Sequence, residues 1–153
     1  VHHEVEVCLL LGERLTGSNA ERASQAVMAV GLGLDLTLRD VQSRQKERGL
    51  PREVAKAFDG SCPLSGFVPI GQIDRLDNLD FLLAVNNQQR QQGNTGHMLT
   101  GIPELLSFIS RHFSLLPGDV VMTGTPSGVG PLCSGDKLEL VMDGLMSVRT
   151  QCL

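Results

Sequence analysis

The chain has 153 residues, 41% of them hydrophobic and 20% charged, with a formal net charge of −4. That is one domain's worth of a globular protein, long enough to bury a core. It has no Trp, no Tyr and no cluster of Lys and Arg, so nucleic-acid binding is not expected, and no apolar run reaches membrane-spanning length.

The first residues read as a β-strand. Val1, Val5 and Val7 fall on alternate positions, as side chains on one face of a strand do. His2, Glu4 and Glu6 share the other face, with the two glutamate Cα atoms roughly 6 to 7 Å apart at the usual strand rise. The run Cys8-Leu9-Leu10-Leu11 then suggests a strand covered on both sides. Val1 rather than Met stands first, inside that strand, which points to a segment upstream of it.

Residues 13–18 read as a loop and Asn19 as the N-cap of a helix, with Glu21 in its first turn. Ala20, Ala23, Val27 and Val30 fall on one helical face, and Gly31 can end that helix. Residues 32–38 alternate strictly: four leucines on one face, Gly33, Asp35 and Thr37 on the other. A glycine beside Asp35 leaves room for something to approach closely. Asp40 is a candidate N-cap for a polar helix over 41–48, ended by Gly49 and Pro51.

Residues 51–72, rich in Pro, Gly and Ser, read as a long loop carrying Lys56. A strand over 81–85, a turn at Asn86-Asn87 and a polar returning strand over 88–92 make a hairpin. Pro103 suits the first helical position, and Leu105, Leu106, Ile109 and Phe113 give a helix buried on one side. After it come strands over 120–123, 137–142 and 145–152, separated by tight turns rather than crossover helices. The fold class is therefore α+β: one domain, 1–153, its strands rolled into a mixed β-roll or partly open barrel with a few peripheral helices.

Cys8, Cys62, Cys133 and Cys152 are far apart and form no C-x-x-C pair, so they read as free thiols of a reducing, cytoplasmic compartment. His3-Glu4 lacks a second histidine four residues on, no serine sits in a G-x-S-x-G elbow, and the glycine-rich stretch 123–131 lacks the ending of a phosphate loop. That stretch can be a structural turn, or it can aim backbone N–H groups at an anion. Three carboxylates remain: Glu4, Glu6 and Asp35, all on predicted strands. They are either solvated strand faces or, if they converge, a hard oxygen site for Mg²⁺ or Mn²⁺. His2 is a surface residue or a neighbour of that site, and Lys56 a solvated charge or its partner.

Four stretches in order carry a resemblance across nearly the whole chain. They are Val1-His2-His3-Glu4-Val5-Glu6, Leu34-Asp35-Leu36-Thr37-Leu38-Arg39-Asp40-Val41-Gln42, Ala55-Lys56-Ala57-Phe58-Asp59 and Thr123-Gly124-Thr125-Pro126-Ser127-Gly128-Val129-Gly130-Pro131. They are similar to motifs of the catalytic domain of the fumarylacetoacetate hydrolase family, especially its acylpyruvase and fumarylpyruvate hydrolase members. The resemblance implies Glu4, Glu6 and Asp35 as ligands of Mg²⁺ or Mn²⁺. It makes Lys56 and Gln42 the catalytic residues that bind and polarise substrate, and it has Gly124 and Thr125 hold the substrate carboxylate. It also implies a homodimer and a preceding lid segment that supplies a histidine and a glutamate to activate water. Two departures stand out: Arg52 occupies the usual place of a tryptophan, and Asn87-Gln88 that of a Gly-Glu hairpin. The function it implies is hydrolysis of a C–C bond in a 2,4-dioxo acid such as an acylpyruvate or fumarylpyruvate, within aromatic-compound catabolism. Oxaloacetate decarboxylation, 2-oxo acid tautomerisation and a non-catalytic metal-binding dimer module are the alternatives.

Overall fold

The alternation around Glu6 does build a strand, and that strand is the spine of the molecule. In the computed structural model, which describes residues 1–153, β1 (His2–His3) breaks at Glu4 and β2 (Val5–Leu11) continues, buried everywhere except Leu10. α1 (Ala20–Gln25) starts as predicted, with the Asn19 side chain accepting from the Arg22 N–H. It does not continue to Val30. It ends at Gln25, and β3 (Val27–Leu34) takes over, paired antiparallel with β2 from Leu34 opposite Val5 to Val27 opposite Leu11. Valines fit a pleated, buried surface, and cross-strand pairing outweighs their helical spacing here. Gly31 therefore stops no helix. It lies mid-strand, where a Cβ would come within 3.0 Å of Gly66 O, the Phe67 ring and Ser65 Oγ.

The strand predicted over 32–38 correspondingly ends early, at Leu34, and only Thr37 rejoins the ladder, bridged to His2. α2 (Arg39–Glu47) begins with Leu38, not Asp40, at its N-cap, and Asp40 instead pairs with Arg44 at 3.0 Å. The expected loop over 51–72 contains a 3-10 turn (Glu53–Ala55) and an edge strand, β4 (Leu64–Pro69), paired with β3. Proline is tolerated at such an edge, which is why the composition hid the strand.

β5 (Asp80–Val85) and β6 (Gln88–Asn94) form the predicted hairpin. Asn86 and Asn87 both adopt positive φ, 52° and 63°, as a two-residue turn of the I′ kind requires. α3 (Ile102–His112) carries Pro103 in its first turn and buries Ile102 and Leu106. Phe113 lies just past its last turn and is 69% exposed, contrary to its expected place on the buried face. β7 (Val120–Met122), β8 (Gly130–Pro131), β9 (Lys137–Met142) and β10 (Met146–Gln151) complete the chain.

Two four-stranded sheets result, ordered β4-β3-β2-β7 and β10-β9-β5-β6, with the short pair β1-β8 beside them. Neither closes into a barrel, and each pairing is antiparallel. Val5, Val7, Leu9, Leu32, Leu83, Leu140 and Met142 belong to one buried apolar cluster fed by both sheets. Burying each such side chain contributes roughly 1.5–3 kcal/mol. The architecture is the expected α+β roll with a few peripheral helices. No helix is long and apolar enough to cross a membrane.

Gly33 lies opposite Glu6. The space beside it is filled, not open as predicted: a Cβ there would meet Cys8 Sγ at 2.7 Å and Leu64 Cδ2 at 2.9 Å. Gly33→Ala is therefore expected to cost about 1–3 kcal/mol, the usual range for overpacking a filled core. Urea unfolding of the two proteins measures it.

Candidate metal centre

Strand pairing brings the three acidic residues together. The Asp35 N–H donates to the Glu4 carbonyl at 2.8 Å, which holds residue 35 opposite residue 4 just beyond the ends of β3 and β2. One carboxylate oxygen from each of Glu4, Glu6 and Asp35 then lies within 4.8 Å of the other two. Glu4 and Glu6 are buried, 8% and 5% exposed, while Asp35 is half-buried.

Two cations flank the cluster. Lys56, at the end of the 3-10 turn, donates from Nζ to Glu4 Oε2 at 2.7 Å and to Asp35 Oδ2 at 2.5 Å. Its turn is fastened to the site by the Leu38 N–H, which donates to the Ala55 carbonyl at 3.0 Å. Arg39, at the start of α2, donates from Nη2 to Glu4 Oε1 at 2.5 Å and from Nη1 to Gln42 Oε1 at 2.6 Å. Gln42, three residues along the same helix, thus reaches the centre through Arg39.

The glycine-rich stretch supplies the third kind of partner. Gly124 adopts φ +100°, a conformation that favours glycine, and its N–H donates to Glu6 Oε2 at 2.6 Å. The anion this loop addresses is one of the chain's own carboxylates. Thr125, next along, donates its hydroxyl to the Val5 carbonyl at 2.8 Å and accepts from Gln91 Nε2 at 2.8 Å.

These contacts divide the acids. Burial opposes charge on Glu4, but the hydrogen bonds from Lys56 and Arg39 outweigh it and hold its pKa below the ordinary range. For Glu6, burial dominates: it pushes the pKa up to about 7, reinforced by the charges of Asp35 and Glu4 and opposed by the Gly124 amide. Burial lowers the Lys56 pKa by itself, yet its bonds to Asp35 and Glu4 raise it overall, so the side chain stays an ammonium. His2, on the glutamate side, has its pKa lowered by burial and by the neighbouring Arg39 charge.

The residues present fit a divalent cation. Three hard oxygen donors converge, and one of them sits buried at a cost in charge that a cation would relieve. The sign of the resulting pH dependence follows. Glu6 has a folded pKa above its unfolded value near 4.5, so the metal-free protein takes up a proton on folding between about pH 4.5 and 7. Its contribution to stability is greatest at low pH and falls across that window, by roughly 3 kcal/mol. Glu4 acts in the opposite sense: its contribution is present above pH 4.5 and lost as the pH falls below that value. Mn²⁺ binding must displace the Glu6 proton, so affinity is expected to rise with pH below about 7, by up to tenfold per unit. Calorimetric Mn²⁺ titrations at pH 5.5, 6.5 and 7.5 test this.

Sequence reading gave no role to Arg39 or Gln91. Arg39 stands inside one of the quoted stretches and lies one helical turn before Gln42, a spacing that puts the pair on one face. Gln91 carried no signal, since its strand is polar throughout.

An antiparallel roll here gathers three carboxylates, a lysine and an arginine at one strand end, the donor set of a carboxylate-type metal site. Residues 1–152 match the fumarylacetoacetate (FAA) hydrolase C-terminal family, and the chain belongs to that family. It is similar to the oxaloacetate tautomerase of Escherichia coli (strain K12), 50% identical over 145 residues, covering 94% of this chain and 66% of the relative. A mitochondrial oxaloacetate tautomerase of Mus musculus is 43% identical over 149 residues, 97% of this chain and 67% of the relative. The chain thus spans about two thirds of the length of these curated relatives. Among solved structures, fumarylpyruvate hydrolase from Pseudomonas aeruginosa in complex with Mn²⁺ and pyruvate superposes with a TM-score of 0.95 at 34% identity, covering 99% of this chain and 65% of that one.

These findings correct one expectation. The C–C hydrolase reading gives way to an isomerase-type one, because the more similar relatives are tautomerases and the named hydrolase stands at lower identity. The acidic cluster and the Mn²⁺-bound relative together support a divalent-metal cofactor.

Proposed function

We propose that this chain forms the metal-holding part of an oxaloacetate tautomerase, which interconverts the keto and enol forms of a four-carbon 2-oxo dicarboxylic acid. The main support is the activity named for the two tautomerase relatives. The groups at the centre agree with it. Tautomerisation moves one proton between C3 and the 2-oxo oxygen and breaks no carbon–carbon bond, so the site has to stabilise developing negative charge and need not activate water.

Held by Glu4, Glu6 and Asp35, a Mg²⁺ or Mn²⁺ ion would act as the Lewis acid for that charge. Lys56, kept as an ammonium by Asp35 and Glu4, donates a hydrogen bond to the 2-oxo oxygen as negative charge develops there, while the protons at C3 and at that oxygen are exchanged with solvent water. Arg39 and Gln42, already bonded to each other, orient a substrate carboxylate beside the cluster. Gly124 and Thr125 form one wall of an adjacent cleft of about 440 Å³, lined also by Phe81, Met98 and Pro126, which takes the far end of the substrate.

The test follows the ultraviolet absorbance of enol-oxaloacetate with the Mg²⁺-loaded chain, against Mg²⁺ alone, while CO₂ release is recorded in parallel. Faster loss of the enol without CO₂ is the expected result. CO₂ appearing as fast as the enol disappears would replace tautomerisation with decarboxylation, and no acceleration of either would reject the reading.

A further inference from the structure

β6 is polar along its length, yet Gln91 within it is only 1% exposed. Its amide is fully engaged. Oε1 accepts the Val5 N–H at 3.0 Å and meets His3 Nδ1 at 2.9 Å, while Nε2 donates to Thr125 Oγ1 at 2.8 Å and to the Pro126 carbonyl at 3.0 Å. A backbone N–H can only donate and a carbonyl can only accept, so these partners fix which way the amide faces. They also fix the buried His3 with its proton on Nδ1. Thr125, accepting from Gln91, donates its own hydroxyl hydrogen bond to the Val5 carbonyl at 2.8 Å.

The bonds close a circuit around one residue. Val5 lies between Glu4 and Glu6; its N–H is held by Gln91, and its carbonyl by Thr125, which Gln91 also holds. Gly124, adjoining Thr125, places its N–H on Glu6. A buried amide of merely structural use could join any two segments. This one joins the segment bearing the acidic side chains to the loop whose amide binds one of them.

We propose that Gln91 is the positioning residue of the carboxylate centre, fixing the backbone between Glu4 and Glu6 and seating the Gly124 N–H against Glu6. The proposal rests on the metal site in the reading above, and not on the reaction assigned to it. Residues that orient metal ligands in this way usually change metal affinity about 10–100-fold when replaced.

Calorimetric titration of the full chain with Mn²⁺, in the absence of substrate, tests the proposal. Gln91→Met keeps the length of the side chain and removes all four bonds; it is expected to bind Mn²⁺ about 10–100-fold more weakly. Ser110→Ala serves as the control for lost buried polar contacts. Its hydroxyl accepts the Ser18 N–H and donates to the Ser107 carbonyl, both at 2.9 Å, in a different part of the fold. That variant should melt earlier and bind Mn²⁺ as the unaltered chain does. A folded Gln91→Met protein with unchanged affinity overturns the proposal. Should that variant not fold, Gln91→Asn, which withdraws the amide by one methylene, gives the same decision: about 10-fold weaker binding supports it and equal binding overturns it. An unaltered chain that takes up no Mn²⁺ sinks the metal site and the positioning role together. One that binds Mn²⁺ with the predicted Gln91 dependence, yet leaves enol-oxaloacetate untouched, sinks only the assigned reaction.

Discussion

Asp35→Ala is expected to leave the chain folded and to slow tautomerisation on the order of 10³-fold, with Mn²⁺ binding lost or severely weakened. The fold should survive because the backbone, not the side chain, does the structural task. The Asp35 N–H to Glu4 carbonyl bond, 2.8 Å long, is untouched, and the half-buried carboxylate bonds to Lys56, which keeps its bond to Glu4. The site, however, falls from three ligand residues to two. Lewis-acid stabilisation is worth several kcal/mol in a transition state, and each 1.36 kcal/mol is tenfold in rate, so the loss reaches about three powers of ten. A second consequence separates this variant from general damage. Glu6 is raised partly by repulsion from Asp35, so its pKa should fall in Asp35→Ala, and the loss of metal-free stability between pH 4.5 and 7 should shrink. Thermal melts across that range, with the rate assay and a Mn²⁺ titration, measure all three. A folded variant with full rate would remove Asp35 from the centre.

What could be read from the sequence depended on how locally each feature is encoded. The strand around Glu6 and the Asn86-Asn87 turn are decided by adjacent residues and stand where they were expected, although Glu4 falls in the break between β1 and β2. The span 26–34 is not so decided. Ala23, Val27 and Val30 satisfy a helical period, and only the pairing of β3 with β2, sixteen or more residues earlier along the chain, makes the valines strand residues. The buried role of Gln91 depends on contacts with Val5 and His3, more than eighty positions away, in a strand whose other residues are polar. The reaction was hidden for a chemical reason. A hydrolase and a tautomerase of 2-oxo acids both stabilise an enolate, so Glu4, Glu6, Asp35, Lys56 and Gln42 suit either. Their difference lies in whether water is activated, a task none of these five has.

Lys56→Met should separate holding a cation from using one. Lys56 shares Glu4 and Asp35 with the candidate metal site, through bonds of 2.7 and 2.5 Å. Its positive charge therefore opposes a second cation arriving at the same oxygens. Met has similar length and no charge, so Mn²⁺ affinity should hold or rise. The rate should nevertheless fall about 10²–10³-fold, the range for losing one donor aimed at developing oxyanion charge. Without metal the variant should be less stable, because Asp35 loses its cation and Glu4 keeps only Arg39. The buried part of that charge is then poorly compensated. Added Mn²⁺ should accordingly raise the melting temperature of Lys56→Met by more than it raises that of the unaltered chain. Loss of Mn²⁺ affinity together with rate would instead make the lysine part of what assembles the centre. A variant that binds Mn²⁺ normally and keeps its full rate would leave the 2-oxo oxygen without the donor assigned to it, and the charge would then have to be carried from Arg39, the other cation within reach of Glu4.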